Sequence, residues 1–378
     1  MEKDKSYPIA IVTGSGGLIG SQAVKFLHDK GFKVIGIDND MRSYFFGKDS
    51  STIPNNEALL KDYPRYESHN LDIRDFEEMN ALFKHYSNDI EIIVHTAAQP
   101  SHDWAANEPL TDFSINATGT INLLESTRLN CPKATFIFTS TNKVYGDTPN
   151  FLHLTEYDTR YDYFVDRLGK PIKGSIDETM SIDQCKHSVF GASKVAADIM
   201  CQEYARYWDM NIGIFRGGCL TGPDHAGAEL HGFLSYLIKC MVTGKPYTIF
   251  GYKGKQVRDN IHSWDLVNMF WHYHQNPKPG AVYNAGGGRD NSTSILEAIY
   301  KVNNLRIEDN LPPWDNYTVS DQARIGDHQW YISDLSKFKK DYPEWDITIS
   351  LDETIKQIYE AERKKYYNRS NSVLESRN

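Results

Sequence analysis

The stretch Ile9–Gly20, Ile-Ala-Ile-Val-Thr-Gly-Ser-Gly-Gly-Leu-Ile-Gly, carries the strongest structural signal in the chain. Its apolar start predicts a buried strand, and the glycines after the strand open a helix that continues through Phe26. Gly14 permits a tight turn, Gly17 lets the backbone approach a pyrophosphate, and Gly20 lets the helix pack closely on the strand. The N–H groups at the start of the helix then face the anion. The stretch therefore predicts a strand–loop–helix unit that binds a dinucleotide.

A second predicted strand, Lys33–Ile37, is followed directly by an acidic residue. Asp38 lies 18 positions after Gly20, and a carboxylate at this place accepts hydrogen bonds from the ribose hydroxyls of a dinucleotide. The same carboxylate repels a 2′-phosphate. The pattern therefore favours NAD over NADP.

Short apolar runs alternate with helical patterns through the first half of the chain. Ile92–His95 and Thr135–Thr139 predict further strands, and Gly119–Arg128 predicts one of the helices between them. Such alternation favours right-handed crossovers and a parallel sheet that is covered on both faces. The predicted fold class is therefore α/β, a Rossmann-type doubly wound parallel sheet with a smaller C-terminal substrate-binding lobe.

Two long polar stretches, residues 40–64 and 147–187, interrupt this alternation, and we expect both to be loops. Beyond about residue 220 the alternation loosens and short elements rich in Gly, Tyr and Trp follow. We therefore predict an NAD-binding Rossmann domain over residues 1–215, to which residues 255–290 return. Residues 216–378 then form mainly the substrate-binding lobe.

Composition limits the class of protein further. The 378 residues are 40% hydrophobic, and 41 basic against 50 acidic side chains leave a formal net charge of −9. This balance argues against a protein that coats nucleic acid or an anionic membrane, and no apolar run reaches the roughly 18 residues of a membrane helix. The five cysteines form no CxxC pair and fit neither a zinc site nor a disulfide framework. We expect a soluble cytoplasmic protein with no metal, no nucleic-acid partner and no membrane partner.

The glycine spacing TGxxGxxG resembles that of the extended branch of the short-chain dehydrogenase/reductase superfamily. Matching segments include Leu71-Asp72-Ile73, His95-Thr-Ala-Ala98, Asn116-Ala-Thr-Gly-Thr120, Thr139–Asp147 and Gly191-Ala-Ser-Lys194. The resemblance implies that NAD is the cofactor. The cofactor-binding residues that it implies are Gly14, Gly17, Leu18, Ile19, Gly20, Asp38, Asn39, Asp72, Ile73, Thr96, Ala97, Ala98, Asn116 and Lys194.

Within this branch, Ser140-Thr-Asn-Lys-Val-Tyr-Gly-Asp147 resembles the CDP-paratose 2-epimerase group of nucleotide-sugar epimerases. The 4,6-dehydratases of the branch carry Asp-Glu where this chain has Asn142 and Lys143. Because an asparagine cannot protonate a leaving hydroxyl, dehydration is disfavoured. The resemblance implies epimerisation of a nucleotide-diphosphate sugar, at C2 of a CDP-sugar, through transient oxidation by bound NAD.

The sequence departs from the family at the catalytic tyrosine. The resemblance places Thr141 and Lys194 in catalysis, but the tyrosine position four before Lys194 is Phe190, and a phenyl ring cannot accept a proton. Three interpretations follow: a deliberate substitution, a native base at another position, or a protein that binds without turnover. Among relocated bases, we rank Lys194 first, followed by Lys143 and His187.

Recognition of a diphosphate requires cations and hydrogen-bond donors, and arginine binds phosphate oxygens bidentately. The resemblance gives substrate contacts to Asn142, Lys143, Arg216, Arg258 and Arg324. One alternative function is a nucleotide-sugar dehydrogenase or reductase with net redox. Another, motivated by the missing tyrosine, is a non-catalytic NAD- or nucleotide-sugar-binding protein. The resemblance also implies a homodimer, formed through helices near 119–128 and 192–208.

Overall fold

The computed structural model describes residues 7–163, 174–225, 227, 232–323 and 326–375. A seven-stranded sheet forms its centre, and all neighbouring strands in it pair in parallel. In spatial order, with labels numbered along the chain, its strands are β12 (Ala281–Ala285), β8 (Ile212–Gly217), β5 (Thr135–Thr141), β4 (Ile90–His95), β1 (Ile9–Thr13), β2 (Lys33–Ile37) and β3 (Tyr66–His69).

Helices cover both faces of this sheet, because its strands carry apolar residues on both sides. In β1, Ile9 and Ile11 face one core, whereas Ala10 and Val12 face the other. The first core is closed by α4 (Phe76–Tyr86), α7 (Gly119–Asn130) and α8 (Ser188–Trp208). The second is closed by α1 (Leu18–Asp29), α3 (Ile53–Asp62), α10 (Ser263–Gln275) and α12 (Ser336–Asp341). The predicted fold class, a doubly wound Rossmann-type sheet, is confirmed.

The strand order fixes where a ligand binds. From β1, the strands β2 and β3 follow toward one edge of the sheet, whereas β4 lies on the other side of β1. The loops after β1 and β4 therefore diverge, and they leave a crevice at the carboxyl ends of these strands.

A smaller lobe stands beyond this crevice. Its core unites α9 (Phe233–Thr243), α11 (Ile295–Glu308) and α13 (Leu351–Glu375) with the parallel pair β10 (Tyr247–Phe250) and β14 (Tyr317–Ser320). A second small sheet contains β9 (Cys219–Thr221), β11 (Val257–His262), β13 (Ser292–Ser294) and β15 (Trp330–Tyr331). Among the described residues, the remaining α-helices and strands are α2 (Met41–Phe46), α5 (His102–Asn107), α6 (Pro109–Phe113) and the hairpin of β6 (Leu154–Glu156) and β7 (Tyr161–Tyr163).

The strands β1, β2, β4 and β5 lie where the sequence predicts them, but the loop predicted over residues 40–64 is wrong. This stretch contains α2 and α3. Leu59 is the only fully buried side chain of α3, and α2 has none, so the stretch shows little helical periodicity. The second predicted loop, residues 147–187, is wrong in part, because its described residues include the β6–β7 hairpin. Residues 164–173 of this stretch lie outside the described residues.

The segment 255–290 divides between the two parts of the molecule. Its strand β12 forms one edge of the large sheet, and its helix α10 packs on α1. Its strand β11, by contrast, belongs to the small sheet. Within the part of the chain that the structure describes, no helix combines the length and the apolar character needed to cross a bilayer.

Candidate active site

One cavity of about 470 Å³ opens at the carboxyl ends of β1, β4 and β5 and continues to β11 in the smaller lobe. Most of the sequence-predicted site residues line it. They are Gly14, Gly17, Leu18, Ile19, Asp38, Asn39, Asp72, Ile73, Thr96, Ala97, Ala98, Thr141, Asn142, Lys143, Phe190, Lys194 and Arg258. Of the others, Gly20, Asn116 and Arg216 are not in the lining, and Arg324 lies outside the described residues.

The glycine loop forms a cradle that side chains would fill. Gly14 has a φ of +68°, and a Cβ atom there would lie 2.9 Å from the backbone nitrogen of Ala97. Gly20 lies behind the loop, where a Cβ atom would come within 2.0 Å of the Gly14 carbonyl oxygen. Gly20 therefore brings α1 close to β1 rather than contacting a ligand. The open cradle at the start of α1 fits a dinucleotide pyrophosphate.

Asp38 is held in place at the end of β2. Its Oδ2 accepts a hydrogen bond from the Gly16 N–H at 2.9 Å, and its Oδ1 accepts one from the Thr52 hydroxyl at 2.9 Å. Thr52 directly precedes α3, one of the two helices that the sequence did not predict. The carboxylate therefore has a fixed position in the cavity wall, next to the glycine loop, which suits contact with a ribose.

Asp72 and Asn39 lie together at the far end of this part of the cavity. Asn39 Nδ2 donates to Asp72 Oδ2 at 3.2 Å, and Arg74 Nη2 donates to the same oxygen at 2.6 Å. Burial alone would raise the pKa of Asp72, but the hydrogen bonds and charge of Arg74 outweigh burial and lower it. Asp72 therefore faces the cavity as an ionised acceptor.

Asn116 acts from behind the cavity wall. Its Nδ2 donates to the Gln99 carbonyl at 3.0 Å, and its Oδ1 accepts from the Gln99 N–H at 3.0 Å. Nδ2 also lies 3.1 Å from the Ser193 hydroxyl on α8. Asn116 thus ties the loop after β4 to the helix that carries Lys194, and the structure gives it no direct place in the cofactor site.

Lys194 projects from α8 to the floor of the cavity. Its Nζ donates to the Thr139 carbonyl at 2.8 Å and lies 4.3 Å from the centre of the Phe138 ring. Burial disfavours the charged ammonium and lowers the pKa of Lys194 to about 8, although the charges of Asp198 and Asp112 act against this shift. About a tenth of this amine is therefore neutral at pH 7, far more than for a lysine with an ordinary pKa.

Phe190 stands one helical turn before Lys194 and is 6% exposed. Its ring packs edge-on against the His102 imidazole, with 5.0 Å between the ring centres. His102 also lines the cavity, and its Nδ1 lies 2.8 Å from the Ser188 hydroxyl. His102 is a site residue that we did not predict from the sequence. Its position shortly after the fourth strand, where parallel sheets place their ligands, was the available signal.

Lys143, Arg258 and Asp327 form a charged cluster in the cavity wall. Arg258 Nη2 donates to Asp327 Oδ1 at 2.5 Å, and Lys143 Nζ lies 4.0 Å from the same oxygen. Burial lowers the pKa of Lys143 to about 8, and the charge of Arg258 adds to this shift. Burial alone would raise the pKa of Asp327, but its two cationic neighbours hold it well below its usual range.

His187 does not reach the cavity. Its Nε2 lies 2.8 Å from the Ile182 carbonyl oxygen, and its Nδ1 lies 3.4 Å from that of Lys143. Both ring nitrogens thus face backbone carbonyls. The structure brings Lys194 and Lys143 to the site and leaves His187 outside it.

Arg216 forms a buried ion pair rather than a cavity contact. Its Nη2 and Nε donate to the carboxylate of Asp198 on α8 at 3.0 and 3.1 Å, and its Nη1 donates to the Tyr145 hydroxyl at 3.2 Å. Ser140 donates to the same carboxylate at 2.6 Å. The structure therefore places Arg216 in the packing of β8 against α8, which carries Lys194, and not in substrate binding.

Arg216→Met is expected to lower the free energy of unfolding by about 3–5 kcal/mol, because it leaves the buried Asp198 carboxylate without its cation. Urea titration followed by circular dichroism measures the change. The matched control is Arg206→Met, which breaks an exposed pair with Glu203 and should change stability by no more than about 1 kcal/mol. Equal losses in the two variants would contradict the assignment.

The fold and cavity define a class of protein: a doubly wound α/β protein with a dinucleotide cradle that opens into a polar second site. The family model described as "NAD dependent epimerase/dehydratase family" matches residues 10–286. The chain belongs to this family, whose members use NAD and act on nucleotide sugars.

Comparison with individual proteins agrees with this assignment. The chain is 29% identical over 359 residues to CDP-paratose 2-epimerase of Salmonella typhi. The aligned region covers 93% of this chain and 98% of that protein. It is 26% identical to dTDP-glucose 4,6-dehydratase of Haemophilus influenzae, over 90% of this chain and 89% of that protein.

Solved structures show the same fold. UDP-glucose 4-epimerase from Thermotoga maritima, solved with UDP-glucose, is 25% identical, with a TM-score of 0.71 over 95% of this chain and 99% of that chain. A Tyr-to-Phe mutant of UDP-glucuronic acid 4-epimerase from Bacillus cereus, solved with NAD and a fluorinated UDP-sugar, is 23% identical. Its TM-score is 0.74 over 95% of this chain and all of that chain.

Proposed function

We propose that this protein is an NAD-dependent epimerase that inverts C2 of a CDP-linked sugar by transient oxidation. The observation that carries the proposal is the single cavity that joins the dinucleotide cradle to the Arg258–Asp327 cluster past Thr141, Lys143 and Lys194. The similarity to CDP-paratose 2-epimerase supports the choice of nucleotide and carbon. NMR of the products formed from CDP-sugars tests the proposal, which predicts inversion at C2 with no accumulation of NADH.

The cradle fits NAD by its own geometry. Gly14 and Gly17 leave room for the pyrophosphate at the start of α1, Asp38 accepts from a ribose, and Asp72 accepts at the adenine end. When bound, NAD takes a hydride from the sugar carbon and gives it back, so that the net redox change is zero. The chain itself must therefore move the hydroxyl proton and hold the sugar.

Lys194 is the group that we assign to the proton. With phenylalanine at position 190, no phenolic oxygen is present there to accept it. The neutral amine of Lys194 takes the proton from the C2 hydroxyl while the hydride leaves C2, and the carbonyl group forms. Once the keto sugar has turned to present its other face, the same ammonium returns the proton to the oxygen as the hydride comes back to C2. The Thr141 hydroxyl, in the same lining, holds the reacting oxygen.

The neighbours of Lys194 exclude the competing reaction and anchor the substrate. Asn142 lines the cavity where an acid would be needed for elimination, and its amide has no proton of suitable acidity. Arg258 offers its guanidinium to the diphosphate, while Asp327 fixes the direction of the fork. Lys143 supplies a further donor for a sugar hydroxyl.

Phe190→Tyr is expected to leave kcat unchanged or lower it, because the proton already has an acceptor in Lys194 and the added hydroxyl disturbs the contact with His102. Steady-state assays with a CDP-sugar, read by chromatography, measure the effect. A gain of 100-fold or more would overturn the relocation of the base. It would show instead that efficient catalysis requires a tyrosine at position 190 as the proton acceptor.

We also propose that the protein pairs with a second copy through α7 and α8. Large apolar side chains on these helices are solvent-exposed, including Leu129 (51%), Tyr207 (76%) and Trp208 (47%). Sedimentation should give twice the chain mass of 43.2 kDa. For Tyr207→Glu it should give the mass of a single chain. Tyr300→Glu, at an exposed position on α11, is the control that keeps the dimer. A monomeric wild-type protein would contradict this assignment.

A further inference from the structure

Three polar residues at two-residue spacing follow one edge of the cavity in the smaller lobe. Gln256 directly precedes β11, and Arg258 and Asn260 lie within it; all three line the cavity and are 5%, 8% and 1% exposed. Residues two apart in a strand share a face and are separated by about 6–7 Å. The row therefore offers three successive polar side chains to an extended ligand, and the middle one, Arg258, is cationic.

The two ends of this row meet different parts of the cavity. Asn260 pairs with Cys219 in β9, and Cys219 lines the cavity on the side of β8. Gln256 instead donates from its Nε2 to the Phe250 carbonyl at 3.2 Å, at the end of β10. A ligand whose diphosphate binds Arg258 and whose sugar points toward Lys194 thus extends its nucleoside toward Gln256 and Phe250.

The cavity at this end has walls suited to a flat ring. Its lining includes the apolar side chains Phe233, Leu234, Tyr247, Phe250 and Ile295. Such walls bind any pyrimidine or purine by its faces and do not distinguish one from another. Discrimination between bases therefore depends on the polar atoms at this end.

The side-chain oxygen of Gln256 is such an atom. Gln256 Oε1 is buried and has no hydrogen-bond partner within the described structure. The Phe250 carbonyl fixes the orientation of the amide, because the opposite orientation would place two acceptors against each other. A buried acceptor without a donor is unfavourable, and a ligand N–H that reaches it removes this cost.

We propose that Gln256 reads the nucleobase, with Oε1 accepting an N–H from an exocyclic amino group. Cytosine offers such a donor at position 4, whereas uracil and thymine present a carbonyl oxygen there and are repelled. This inference rests on the proposed function, because it takes the ligand of the cavity to be a nucleoside diphosphate sugar. It assigns the choice of base to one side chain outside the proposed catalytic group.

The test is isothermal titration of the NAD-loaded protein with CDP and with UDP. Wild type should bind CDP at least tenfold more tightly than UDP. Gln256→Met keeps the length of the side chain and removes the acceptor. It should weaken the binding of CDP until its affinity equals that of UDP. Arg258→Met should weaken both nucleotides equally and keep their ratio. Gln322→Met, at an exposed position, is the matched control and should change neither.

The possible failures are distinguishable. Equal affinities of wild type for CDP and UDP, or a ratio that survives Gln256→Met, would overturn the assignment of Gln256 and leave the proposed epimerase standing. If neither nucleotide binds to the NAD-loaded wild-type protein, the proposed function and this inference both fail.

Discussion

Replacement of Lys194 by methionine should lower kcat by about 10³-fold, within the range of 10²–10⁴ that a positioned general base contributes. Methionine fills similar space over the Phe138 ring but has no nitrogen to accept the hydroxyl proton. Because the hydrogen bond to the Thr139 carbonyl is also lost, a melting curve must show that the variant is folded. Rapid-quench assays of sugar conversion then measure the loss.

The pH profile separates this role of Lys194 from a purely structural one. The ammonium form cannot accept a proton, so kcat should rise with pH and level off above the lowered pKa of about 8. Lys143→Met is the matched control, because Lys143 has a similarly lowered pKa but lies against Asp327. Lys143→Met should raise KM more than it lowers kcat, and its kcat should still rise with pH as in wild type. A wild-type rate that is flat from pH 6 to 9 would contradict Lys194 as the base.

Gly20→Ala is the second change with a large expected effect. The added methyl group would lie 2.0 Å from the Gly14 carbonyl oxygen, and no flexible side chain is available to move aside. The start of α1 must therefore shift away from β1, which opens the cradle and turns its N–H groups from the pyrophosphate. We expect the dissociation constant for NAD to rise at least 100-fold, as measured by calorimetry.

A neighbouring substitution controls for the loss of NAD binding. Gln22→Ala on the same helix is half-buried and does not line the cavity, so it should leave NAD affinity within threefold of wild type. A Gly20→Ala protein that binds NAD as tightly as wild type would show that the close approach of α1 to β1 is not needed.

The sequence predicted the parts of the fold that rest on strong local patterns. The strands β1 and β2 are short apolar runs bounded by glycine or charge, and the glycine spacing has few structural solutions. Helix α3 was missed because Leu59 is its one buried side chain, so the segment carries no apolar stripe of helical spacing. Its role in holding Asp38, through Thr52, was therefore also missed.

From the sequence, only those site residues that belong to a recognised motif could be predicted. Both faces of β8 are buried, so the sequence does not tell that Arg216 faces Asp198 on α8 rather than the cavity. Asp327 and His102 reach the cavity through tertiary packing, from segments far from Arg258 and Phe190 in the chain. Pairings of this kind have no signature in a single sequence.

Proton NMR in D₂O of the purified protein, with catalytic NAD and a panel of CDP-, dTDP-, GDP- and UDP-sugars, tests the central claim most directly. We expect a new C2 diastereomer of a CDP-sugar that retains its C2 proton, because the hydride leaves and returns without exchange, and we expect no accumulation of NADH. Stoichiometric NADH with an oxidised sugar would instead identify a dehydrogenase. No change in any sugar, in wild type and in Phe190→Tyr alike, would contradict the account and identify a binding protein.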